Sequence, residues 1–200
     1  MGAAMVCAEP WVLQETQGRK PAVFQTLYNP GKTVEVAATS FGPGVPGVRA
    51  YHTSIMIEDV EYSFSINGVT QAPRLASHQC YANKPMVMYM GLTSMSGQEL
   101  LDTLGQHFRK GTYDLLRKNC NSFSDCALYC LLDTRLDPTY RGLEKIGHSA
   151  DKHAGLVQAL SDGCYRPNPL ADGFDVEAVV NQVNAIKTKQ AIQMRIGFTN

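Results

Sequence analysis

Neither charge is in surplus in this chain: 18 Lys and Arg are matched by 18 Asp and Glu among 200 residues. Nucleic acids and anionic membrane surfaces are recognised by clustered excess positive charge. No Lys/Arg-rich stretch occurs, so nucleic acid is not an expected partner. Extended apolar stretches are also missing. The longest, Cys126 to Leu132, is far short of the ~20 residues that a bilayer core requires, so no stable membrane insertion is expected. Residues 1–10 show no basic start followed by a long apolar segment, which argues against a secretory leader. Gly2 is followed at position 6 by Val6, where an N-myristoylation motif needs Ser or Thr. The expected location is the cytoplasm, or cytoplasm and nucleus. No C-x-x-C pair exists, which removes zinc ribbons and thioredoxin-type redox motifs. Cys7, Cys80, Cys120, Cys126, Cys130 and Cys164 are expected as free thiols. Cys126/Cys130 and His148/His153 have spacings a metal site can use, but they read better as two buried thiols on one helix face and two solvent histidines. P-loop, G-x-G-x-x-G, G-x-S-x-G, H-E-x-x-H and EF-hand patterns are all absent. Neither metal nor cofactor is expected.

What is present describes a globular protein with 44% apolar and 18% charged residues, large enough for a conventional core. Residues 21–90 read as strands. Ala22–Tyr28 and Lys32–Thr39 flank a turn at Asn29-Pro30-Gly31, and Phe41–Gly47 reads as a Gly/Pro loop. Val48–Ile57 and Val60–Ile66 form a hairpin turning near Glu58-Asp59. Tyr62, Phe64 and Ile66 alternate with Glu61, Ser63 and Ser65, the pattern of a half-buried strand. Met86–Met90 is a further strand. Helices follow. Ser96-Gly97-Gln98-Glu99 spells a capping box, ahead of a stripe of Leu100, Leu101, Leu104 and Phe108 that Gly111 ends. A second helix is expected from about Cys120 to Asp133, with Phe123, Ala127, Cys130 and Leu131 on one face. Ser149 caps a third that carries His153, and Asp175 a last one bearing Val176, Val179, Val180, Val183 and Ile186. Strands first and helices after indicate an α+β class.

Chemistry concentrates in Arg117-Lys118-Asn119-Cys120-Asn121-Ser122-Phe123. Cys120 stands where a polar loop meets a helix start, so unpaired N–H groups, the dipole and the neighbouring Arg117 and Lys118 would favour a thiolate. Asn119, Asn121 and Ser122 can cap the helix and aim the sulfur. A small hydrophobe packed at a helix start fits the same position, and its location alone leaves both readings open. A thiol nucleophile needs a base. Of five histidines, His52 heads an extended apolar segment that would hold its ring. His78, His107, His148 and His153 lie in polar, loop-like or helix-surface surroundings.

The run from Gly91-Leu92-Thr93 through a helix to Asn119-Cys120-Asn121-Ser122-Phe123 resembles the PPPDE family of desumoylating isopeptidases, permuted papain-like cysteine peptidases. His52-Thr53, Glu61-Tyr62-Ser63-Phe64, Pro138-Thr139-Tyr140 and Gly147 follow the same pattern in the same order. Ser65–Gly68 and Tyr140, where the family favours glycines and Trp, depart from it beside the presumed groove. The resemblance implies a small antiparallel sheet or open barrel with helices packed against it. It divides the chain into an N-terminal extension (1–20), the peptidase domain (21–147) and a helical C-terminal extension (148–200). It implies Cys120 as nucleophile and His52 as general base and acid, supported by Asn119, Asn121 and Ser122 at the oxyanion site. It further implies ubiquitin- or SUMO-like conjugates as substrates, and a homodimer. Two other readings keep the fold: a thioesterase removing acyl groups from protein cysteines with the same dyad, and a non-catalytic scaffold binding ubiquitin-like proteins.

Overall fold

A computed structural model describes residues 31–45, 48–142, 163 and 165–197. Five antiparallel strands make one sheet in the order β4-β3-β2-β1-β5: β1 (Lys32–Val45), β2 (Val48–Ile57), β3 (Val60–Ser65), β4 (Gly68–Pro73) and β5 (Met86–Thr93). Among the described residues three α-helices follow, α1 (Gly97–Leu104), α2 (Cys120–Leu132) and α3 (Val176–Gly197). This is the α+β class read from the sequence. The expected strand at residues 22–28 and the helix capped by Ser149 lie outside the described residues.

Two strand assignments are corrected. The Phe41–Gly47 loop is not a loop throughout: β1 stays paired to β2 as far as Val45↔Val48, after a register irregularity between Phe41 and Val45. Pro43 falls within that irregular stretch, where a missing N–H costs no regular ladder bond. Strand β4 was not legible, because its G-V-T-Q-A-P sequence scarcely alternates; pairing from Ser65↔Gly68 to Val60↔Pro73 makes it an edge strand. Gly68 starts it at φ +87°, and a Cβ there would lie 2.9 Å from the Lys110 backbone nitrogen.

The strand period sets the two faces. Val34, Val36, Ala38, Ile55, Ile57, Tyr62 and Phe64 enter the core shared with the helices. The opposite face carries His52, Ser54, Met56, Glu61 and Ser63, all buried. The half-buried reading of β3 therefore fails at both ends: Glu61 is fully enclosed, whereas Ile66, in the β3–β4 turn, is 68% exposed.

The Ser96/Glu99 capping box forms as expected, but α1 stops at Leu104 rather than running toward Gly111. Phe108 reaches the core from the turn that follows, against Phe64 and Phe123. Gly97 is required for packing, since a Cβ would overlap the Tyr62 hydroxyl. Helix α2 is buried on nearly every side rather than along one stripe. The sheet covers one flank and the Val176, Val179, Val180 and Val183 face of α3 covers another. Arg135 ties the two helices together, reaching Asp125 at 2.8 Å and Glu177 at 2.7 Å.

Candidate active site

The start of α2 is built by a local sequence device. Asn119 accepts the N–H groups of Asn121 and Ser122 on its Oδ1 (2.9 and 3.0 Å), and Ser122 Oγ accepts the Asn119 N–H at 3.2 Å. The Asn119 amide also donates to Leu115 O at 2.9 Å, anchoring the cap to the preceding loop. The N–H groups of Asn119, Asn121 and Ser122 are thereby satisfied, and all three polar residues are fully buried. The Asn121 N–H is engaged by this cap, which leaves the Cys120 N–H as the backbone donor at the helix start.

Cys120 is 3% exposed. Its thiol lies 3.6 Å from Asn121 Oδ1, to which it donates. Burial pushes the thiol up, against the lowering influence of the Thr53 N–H, the Tyr113 hydroxyl and the N–H groups of Asn121 and Cys120 itself. The resting group is a thiol, not the thiolate that the neighbouring basic residues suggested. Both of those turn away. Arg117 binds Asp114 at 2.8 Å, Asp172 and the Asn168 carbonyl. Lys118 Nζ sits 4.8 Å from the Phe174 ring centre.

His52 belongs to β2, one residue before Thr53, so its side chain leaves the opposite face of the sheet. Its Nε2 is 2.8 Å from Ser77 Oγ. Its ring stacks on Tyr81 with centroids 5.2 Å apart and lies 4.7 Å from that of His78. Burial, then the neighbouring His78, lower its pKa to about 4 in spite of the Glu61 charge. The ring is neutral at pH 7.

No hydrogen bond joins Cys120 to His52. Thr53 and Tyr81 each neighbour both residues. The β2–β3 ladder stops at Ile55↔Tyr62, and two residues on, the Thr53 N–H turns to the sulfur. Below it the Thr53 hydroxyl lies 2.9 Å from both Asn121 Oδ1 and Ser124 Oγ, seating β2 on the start of α2. Tyr81 stacks on His52 while its phenol, raised chiefly by burial, also feels Cys120. Of the five residues picked out in the sequence, Asn121 and Cys120 meet Thr53 and His52 precedes it in the chain, whereas Asn119 and Ser122 belong to the cap of α2.

His78, grouped in the sequence with histidines in polar, loop-like or helix-surface surroundings, is enclosed. It is 2% exposed, with Nδ1 2.7 Å from Thr39 Oγ1, Nε2 2.9 Å from Ser54 Oγ and 3.5 Å from Glu61 Oε1. Glu61, Ser77, Tyr81 and Tyr113 were missed too. The E-Y-x-F motif contained Glu61, but its alternation with core residues placed it toward water; the segment bearing Ser77 and His78 covers that face instead. Among the described residues, no cluster of His, Cys, Asp and Glu is arranged to hold a metal ion, and Cys126 and Cys130 are buried and outside any disulfide. His148 and His153 lie outside the described residues.

A five-stranded antiparallel sheet with helices packed against it is consistent with a peptidase-like domain. A family model described as the PPPDE putative peptidase domain matches residues 23–160, and the chain belongs to that family. No curated protein matches it.

Proposed function

We propose that the chain is a cysteine isopeptidase that removes ubiquitin- or SUMO-like modifiers from lysine. The observation that supports this most directly is the meeting of the α2 start with β2: the Cys120 sulfur faces the backbone of Thr53, the residue bonded to His52. Both groups rest neutral, so the thiolate forms only as the reaction begins. The sulfur passes its proton to His52 and attacks the carbonyl carbon of the modifier's last residue. The Cys120 N–H and the helix dipole stabilise the oxyanion. The C–N bond then breaks, His52 returns the proton to the lysine amine, and a thioester remains. Neutral His52 next removes a proton from water, whose oxygen attacks the thioester; the carboxylic acid leaves and the thiol is restored.

A diglycine tail suits a sulfur this enclosed, since residues without side chains thread a passage too narrow for others. Ubiquitin and SUMO probes ending in propargylamide test the reading. The expected result is a covalent adduct on Cys120 with at least one probe, absent in Cys120→Ala and strongly reduced in His52→Ala. A folded wild-type chain that reacts with neither probe overturns it; hydrolysis of an acyl-thioester reporter by that same chain would establish the thioesterase instead.

A further inference from the structure

Glu61 is a fully buried carboxylate on β3 that the chemistry above does not use. Both of its oxygens hold Ser77: Oε2 accepts the backbone N–H at 2.9 Å and Oε1 accepts the hydroxyl at 2.7 Å. A serine hydroxyl has one proton to donate. With that proton committed to Glu61, Ser77 Oγ can offer His52 Nε2, 2.8 Å away, only a lone pair. Nε2 must therefore carry the hydrogen. A neutral imidazole has a single N–H, so the lone pair is on Nδ1, which has no hydrogen-bond partner among the described residues.

We propose that Glu61 and Ser77 are positioning residues that hold His52 as its Nε2–H tautomer and leave Nδ1 as the base toward Cys120. This rests on the cysteine-peptidase reading of the site. When the Cys120 proton moves from sulfur to Nδ1, the imidazolium donates from Nε2 to Ser77, and the Glu61 charge one hydroxyl away offsets the buried positive charge. His78, held by Thr39 of β1 and Ser54 of β2, disfavours a charged His52; Tyr81 stacks on its ring and bears no charge near neutrality. Among the described residues, Glu61 is the group whose charge favours the imidazolium.

The test combines spectra with kinetics on the full chain. Long-range ¹⁵N imidazole spectra, with the His52 signals identified by their loss in His52→Gln, report the tautomer directly. Wild type is expected to show the proton on Nε2, and Ser77→Ala a mixture. With ubiquitin or SUMO carrying a C-terminal fluorogenic amide, Ser77→Ala is expected to lower kcat by about 10²-fold at unchanged KM, at the low end of the ~10²–10⁴ a positioned base contributes. Ser77→Thr, which keeps the hydroxyl, restores most of it. Glu61→Gln lowers kcat and moves the His52 titration further down. A wild-type proton on Nδ1, or wild-type kcat in both Ser77→Ala and Glu61→Gln, overturns the proposal. Should the wild type cleave neither substrate, the isopeptidase reading falls, while the tautomer spectra still decide whether Glu61 and Ser77 set the ring.

Discussion

A neutral imidazole buried against a second histidine leaves a signature in stability as well as in catalysis. In the unfolded chain His52 titrates near 6.5, whereas in the folded chain burial lowers it to about 4. Above pH 6.5 both states hold a neutral ring and the contribution is complete. As the pH falls toward 4 the unfolded state takes up the proton first, so folding is weakened. The gap corresponds to about 3 kcal/mol lost across that window. Urea denaturation of wild type and His52→Gln between pH 4 and 7 should show the variant losing less stability on acidification, by roughly that amount; equal slopes would mean the ring is not buried neutral. His78 is displaced in the same direction, but it is present in both proteins and cancels from the difference. Cys120 and His52 were singled out in the sequence because a short motif and its partner strand carry them. Glu61 was not, because a carboxylate beside Tyr62 and Phe64 looks like the wet side of a strand. Its burial is decided by Ser77, sixteen residues away and across a hairpin.

Elements whose form depends on neighbouring residues were read well, and those that depend on distant pairing were not. The Ser96/Glu99 box and the Asn119 cap are both written within four residues, and both appear. Strand β4 has little pattern of its own and exists because β3 offers it an edge, while β1 continues past Phe41 because β2 still faces it. The Asn119 cap is also where local structure and chemistry coincide, since the same amide that ends the Leu115 loop fixes the residue before the sulfur. Asn119→Ala is expected to cost about 1–2 kcal/mol, the usual value of an N-cap. It should also slow probe labelling of Cys120 well beyond what the unfolded fraction explains. Asn119→Asp, which retains an acceptor for the Asn121 and Ser122 N–H groups, should recover most of the stability. Paired melting and labelling measurements check this; labelling that simply tracks the melting temperature would confine the cap to a structural role.

Across the whole described domain, the segment from Tyr165 to α3 holds α2 at both ends. At the start, Asp114 is 3% exposed and accepts from the Leu116, Arg117 and Asn168 backbone N–H groups and from the Arg117 guanidinium, while Asn168 donates to the Gly111 and Tyr113 carbonyls. That knot fixes the loop leading into Asn119 and Cys120, and it includes the backbone of Tyr113, whose hydroxyl faces the sulfur. At the other end, Val183 of α3 lines a cavity of about 240 Å³ together with Cys130 and Met95. The apolar stripe of α3 was legible; what it packs against was not, because periodicity names a face and not its partner. The two ends should separate stability from chemistry. Val183→Ala, at a site 1% exposed, removes two methyl carbons and is expected to cost about 2 kcal/mol. Ten residues of helix put its neighbour Cys130 about 15 Å from Cys120, so the labelling rate of the folded fraction should be unchanged. Asp114→Asn keeps the shape but weakens the grip on Arg117 and can leave one of the acceptor positions as a donor. It should slow Cys120 labelling several-fold even where the protein is fully folded. Equal labelling rates in Asp114→Asn and Val183→Ala, each corrected for folded fraction, would show that the C-terminal segment supports α2 without positioning its first residue.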